Sequence, residues 1–89
     1  MDRNSLINDM ELCYKQIKEC RDKIANIKFI INVKKPQLWE EATGTVDAKK
    51  DYIKGQLAEE LQEIALLENE IEWSSNQVEL LTWKLMNNE

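Results

Sequence analysis

Eighty-nine residues bound the chain to one domain, which buries only a modest share of its surface unless a partner adds to it. Hydrophobic residues make up 43% and charged residues 33%, with two Gly and one Pro, a balance that favours long amphipathic helices and excludes a turn-rich all-β fold and a disordered chain. A net charge of −5 leaves no long positive surface for nucleic acid, and the absence of His removes imidazole acid–base chemistry, a Ser-His dyad and His metal ligation.

The amino-terminal stretch MDRNSLINDMEL has no charged leader followed by an apolar core, and the longest strongly apolar run is Phe29-Ile30-Ile31. Neither Sec-type export nor membrane insertion is expected from these segments. Asn4 or Ser5 can cap a first helix, expected over residues 5–32, whose apolar series is Leu6, Met10, Cys13, Ile17, Cys20, Ile24, Ile27 and Ile31. The alternating spacing of four and three places all of them on one stripe, the pattern of a helix packed lengthwise against another. Ile7 and Tyr14 widen that stripe. Cys13 and Cys20 lie seven residues apart, roughly 10 Å along a helix, too far for an internal disulfide. They read as buried free thiols, with an intermolecular bridge as the alternative.

The segment from 33 to 45 reads as an elbow. Pro36 disfavours helical backbone at Lys35 and so predicts a helix end before it. Pro36 through Gly44 then predicts a short helix of one or two turns, opened by Pro36 and closed by Gly44 in the left-handed region.

Thr45 is expected to cap a second helix over residues 46–87, with Asp47 in its first turn facing the helix dipole. Its seam runs Val46, Lys50, Ile53, Leu57, Glu60, Ile64, Leu67, Ile71, Ser74, Val78, Leu81 and Leu85, apolar except at Lys50, Glu60 and Ser74, with Leu61 beside Glu60. Gly55 lies off this seam. Residues 1–35 carry eight Lys/Arg against five Asp/Glu, whereas residues 55–89 carry Lys84 alone against eight Glu, so antiparallel pairing sets basic beside acidic. The predicted fold is therefore all-α, an antiparallel two-helix hairpin, coiled-coil-like, with a longer second helix and a short helical elbow, in one domain over residues 1–89.

A second line, Tyr52, Leu66, Trp73 and Leu80, falls on multiples of seven away from the seam, and one partner helix cannot cover both. A hairpin with Ile24 facing Ile53 and Met10 facing Leu67 also leaves Val78, Leu80, Leu81, Trp83 and Leu85 projecting beyond the first helix. Together these eight residues, Tyr52, Leu66, Trp73, Val78, Leu80, Leu81, Trp83 and Leu85, form the expected partner interface, either for a dedicated helical protein or for a second copy in a homodimer.

No site chemistry competes with that reading. Two thiols fall short of the four ligands of a usual zinc site, Gly44 and Gly55 are isolated where a phosphate loop needs clustered glycines, and Glu59, Glu60 and Glu63 read as a solvated face. No enzyme activity, cofactor or metal is expected.

A chain of about ninety residues, with two antiparallel helices and Pro36-Gln37-Leu38-Trp39 leading to Gly44 at the bend, resembles the WXG-type helical hairpins of type VII secretion. It looks most like the YwqH-like accessory proteins that accompany LXG toxins in Gram-positive bacteria. Four residues separate Trp39 from Gly44 where the family signature has one. The elbow motif implied by the resemblance is Pro36, Leu38, Trp39 and Gly44. What the resemblance implies is a targeting partner or chaperone that packs against the helical amino-terminal domain of a toxin, or against a second small hairpin, and promotes its export. Tyr14 is followed four positions on by Lys18 and Tyr52 by Gln56, so the acidic export signal of the wider superfamily is unmatched. Cytoplasmic residence before Sec-independent export on the partner's signal is the expectation; the alternative is a self-associating coiled coil or a cytosolic helical adaptor that is never exported.

Overall fold

The computed structural model describes residues 2–87; Met1, Asn88 and Glu89, which the expected domain 1–89 includes, lie outside the described residues. The described chain is all-α, in the order α1 (Arg3–Glu41), α2 (Val46–Gln56) and α3 (Ala58–Asn87). α1 folds back against α2 and α3 as a helical hairpin, a rod with extents of 65 × 18 × 14 Å. A helix of 39 residues is about 58 Å long at 1.5 Å per residue, close to the length of the whole rod. The two arms therefore lie side by side from end to end.

From Ile53 onward the seam residues hold the hairpin together as their spacing predicts, whereas Val46 and Lys50 at the expected start of the second seam, and Ile7 and Tyr14 beside the first, are exposed. Leu6, Ile17, Cys20, Ile24, Ile27 and Ile31 of the first arm are buried, as are Leu57, Ile64, Leu67, Ser74 and Leu81 of the second. Ile53 and Ile71 pack, half-buried, against the same core, and Met10, Cys13, Val78 and Leu85 are also half-buried. Each of the larger apolar side chains contributes about 1.5–3 kcal/mol by leaving water, before ordering costs.

The elbow is corrected. α1 does not stop near residue 32; it runs through Pro36 to Glu41, and only residues 42–45 form the connection. Pro36 lacks the N–H that would bond to the carbonyl of Asn32, and its ring crowds that carbonyl, at a cost of about 3 kcal/mol. Packing outweighs it. Leu38, seven residues past Ile31, sits half-buried against the core, Ala42 is buried, and the Lys49 ammonium lies 4.8 Å from the centre of the Trp39 ring.

The helix ends follow local chemistry. The Thr45 hydroxyl accepts from the Ala48 backbone N–H at 3.2 Å, with Asp47 in the first turn of α2. Gly44 does adopt positive φ, +100°, within the connection, while α1 ends at Ala42 with extended backbone. At the other end it is Asp2, rather than Asn4 or Ser5, that caps α1, its carboxylate accepting from the Asn4 N–H at 3.3 Å.

The expected second helix of 46–87 is divided at Leu57, whose φ and ψ of −103° and 11° interrupt regular helix two residues after Gly55. Pairing across the break is kept: the Leu57 N–H donates to the Ile53 carbonyl and the Leu61 N–H to the Leu57 carbonyl. The break is thus a bend in one arm, at a glycine, where helices commonly kink.

Candidate functional site

The lengthened first helix changes which residues are free. Cys20 Sγ donates to Glu70 Oε2 at 3.2 Å, which sets Cys20 level with Glu70, whereas the register with Ile24 opposite Ile53 would set it beside Leu57. The arms are slid by nearly two heptads relative to that expectation. Leu81 is consequently 8% exposed and Leu6, near the start of α1, is fully buried, so among the described residues the second arm has no overhanging end. Of the eight interface candidates, Leu81 belongs to the hairpin's own core, and Val78 and Leu85 are half-covered by it.

The other five stay open. Leu66 is 58% exposed, Trp73 60%, Leu80 54% and Trp83 66%, all on α3, with Tyr52 less exposed on α2 beyond the bend at Leu57. Leu66, Trp73 and Leu80 stand seven residues apart, two positions past the seam residues Ile64, Ile71 and Val78, so they share one line on the outward side of α3. Trp83 is three residues past Leu80, one turn along the same side. Met86, also exposed, ends the apolar strip at a position off the heptad line of Leu66, Trp73 and Leu80.

The first arm adds exposed apolar side chains that the seam pattern passes over: Leu12, Phe29 and Val33. Leu12 and Val33 lie 21 residues apart, three heptads, and so at the same helical position. That spacing is the one sequence signal that could have singled them out.

The elbow residues serve the hairpin's closed end. Pro36 and Trp39, with Ile31, Leu57 and Leu61, line an open apolar hollow of about 940 Å³ between α1 and the bend in the second arm, rimmed by charges such as Lys35 and Lys50. Leu38 packs inward, and Gly44 turns the chain. Trp39 and Gly44 are therefore both at the bend, one as a cation-stacked side chain and the other as a backbone requirement.

The glutamates expected as a solvated face divide. Glu59 and Glu63 are exposed, but Glu60 turns to Lys34, with Nζ and Oε1 2.7 Å apart. This bond first, and the Glu60 backbone contact second, hold the carboxyl below its ordinary range. The Cys20 thiol is pushed up, by burial first and by its bond to Glu70 second, which keeps it protonated and a poor nucleophile. Both cysteines are free thiols, but only Cys20 is buried as expected; Cys13 is half-buried. Among the described residues no group of three or more His, Cys, Asp and Glu is placed to hold a metal ion, and no helix is long and apolar enough to cross a membrane.

No family model, no curated protein and no solved structure matches the chain.

Proposed function

We propose that the protein is a non-enzymatic helix-docking module whose outward α3 face binds a helical segment of another protein. The observation that carries this reading is the line of Leu66, Trp73 and Leu80, three large apolar side chains more than half exposed on one side of a helix whose opposite side is already satisfied by α1. Apolar strips of this kind on a folded chain mark interaction surfaces, and a partner helix would fill them with side chains at the same heptad spacing. Covering large side chains such as these contributes about 1.5–3 kcal/mol apiece before ordering costs, enough for stable association.

The resemblance to WXG-type hairpins supplies the partner class: the helical amino-terminal domain of an LXG toxin, which this protein would accompany to a type VII secretion machine. The placement of both Trp39 and Gly44 at the bend of a two-arm hairpin supports that reading. Co-expression with the product of a neighbouring gene that carries a helical amino-terminal region tests it. A stable complex lost in Trp73→Glu is the expected result; a hairpin that ignores that product, with or without the substitution, overturns the assignment.

A further inference from the structure

We infer that the α3 face is self-complementary and that, in the absence of another helix, its occupant is a second copy of this chain, paired antiparallel about a two-fold axis at Trp73. The inference rests on the reading of this face as a docking surface and specifies what closes it.

The order of residues along α3 carries the proposal. From Trp73, a leucine lies seven residues away in either direction, Leu66 and Leu80. Two antiparallel copies centred on Trp73 therefore set Leu66 against the second copy's Leu80, Trp73 against its own counterpart, and Leu80 against the second copy's Leu66. The two rows flanking this line have the same symmetry. One row is Glu63, Glu70, Gln77 and Lys84, so antiparallel pairing sets Glu63 opposite the second copy's Lys84 and Glu70 opposite the second copy's Gln77. The other is Gln62, Asn69, Asn76 and Trp83, which sets Asn69 against the second copy's Asn76 and Gln62 against its Trp83. The midpoints of the three rows differ by no more than one residue, about 1.5 Å of helix, so a single two-fold axis satisfies them all.

Charge selects this arrangement over others. Lys84 is the only basic residue of α3, and the antiparallel pairing places it twice against Glu63, once on each side of the axis. A parallel pairing in register would instead set the Glu63, Glu70 and Lys84 row against the second copy's row of Gln62, Asn69, Asn76 and Trp83, so Lys84 would meet no carboxylate. Glu68, Glu72 and Glu79 occupy other heptad positions, away from the contact line.

The rod offers a long side to a second copy. The chain exposes 6908 Å², against about 5,400 Å² for a compact monomer of its mass of 10.5 kDa. The surplus of about 1,500 Å² follows from the elongated 65 × 18 × 14 Å rod, along whose side an interface of standard size would cover roughly 800 Å² of each copy.

Sedimentation analysis of the full chain alone, over a range of concentrations, tests the proposal. The wild type is expected to be a dimer, and Trp73→Glu a monomer with unchanged helical circular dichroism. Glu63→Lys and Lys84→Glu, each alone, oppose like charges at both ends of the contact and should weaken the dimer about tenfold. Mixing those two variants restores an attractive pair on both sides, so the mixed dimer should recover wild-type affinity. A wild type that is monomeric throughout, a dimer indifferent to Trp73→Glu, or single variants that mixing fails to rescue would each overturn the two-fold. A monomeric chain that still captures a protein partner through Trp73 sinks only this inference; a Trp73-dependent dimer that captures no partner sinks only the heterologous assignment above.

Discussion

Lys34 and Glu60 meet at 2.7 Å where the apolar repeats of both arms lapse together. Lys34 is seven residues past Ile27 on the seam of α1, and Glu60 is seven before Leu67 on the seam of α3. Two residues that each look like flaws in a hydrophobic stripe are one polar layer of the hairpin. Such a layer adds little to stability when half exposed, but it penalises every register in which either residue faces an apolar side chain.

The pair makes stability depend on acid. The Glu60 carboxyl is held below its ordinary value of 4.5, principally by the bond from Lys34, so the folded chain binds its proton less readily than the unfolded chain does. Its contribution is present in full above that value and is lost as pH falls through the lower, folded one. Urea melts of wild type and Glu60→Gln should therefore differ near neutral pH and begin to converge only as pH falls below 4.5, through the lower folded value. A constant difference across that range would show that the carboxylate is not the group that matters.

The two glycines should respond oppositely to alanine. Gly55 has open space where a Cβ would go and sits within a helical segment, so Gly55→Ala should raise stability by about 0.5–1 kcal/mol, or several degrees in Tm. Gly44 sits at φ +100°, where an L side chain is strained, so Gly44→Ala should lower stability by about 1–2 kcal/mol although the nearest atom, Ala48 Cβ, leaves room at 3.4 Å. Thermal unfolding followed at 222 nm reads both signs.

Leu6→Ala and Leu81→Ala test the register. Each side chain is buried near the open end of the rod, and truncating either should cost about 2–5 kcal/mol. If Leu81 instead projected past a short first helix, its truncation would leave the Tm of the monomeric hairpin nearly unchanged. Carrying both substitutions in a Trp73→Glu background separates this effect from any contact between copies.

Ser74 is fully buried, and its hydroxyl has no hydrogen-bond partner. Leaving such a group unpaired costs about 1–3 kcal/mol, so Ser74→Ala should be neutral or stabilising in chemical denaturation despite its central place in the seam. A clear loss of stability would mean that the hydroxyl is bonded in solution.

The sequence by itself determined the elements whose cause is local or periodic. The alternation of three and four from Leu6 to Ile31 and from Ile53 to Leu85 specifies two packed helical faces because it keeps one stripe in line, and Thr45 specifies a helix start because its hydroxyl can reach a free N–H. The exposed line of Leu66, Trp73 and Leu80 was legible for the same reason, since it cannot share a side with the seam. Tertiary structure alone decided where α1 ends and which residues face each other. Pro36 opposes helix locally, and only the inward packing of Leu38 and Ala42, with Lys49 stacked on Trp39, outweighs it. Register was undetermined because a stripe that repeats every seven residues looks the same after a slide of seven or fourteen. The choice fell to the short connection at 42–45 and to the polar layer of Lys34 and Glu60, and it moved Leu81 from the expected docking surface into the core.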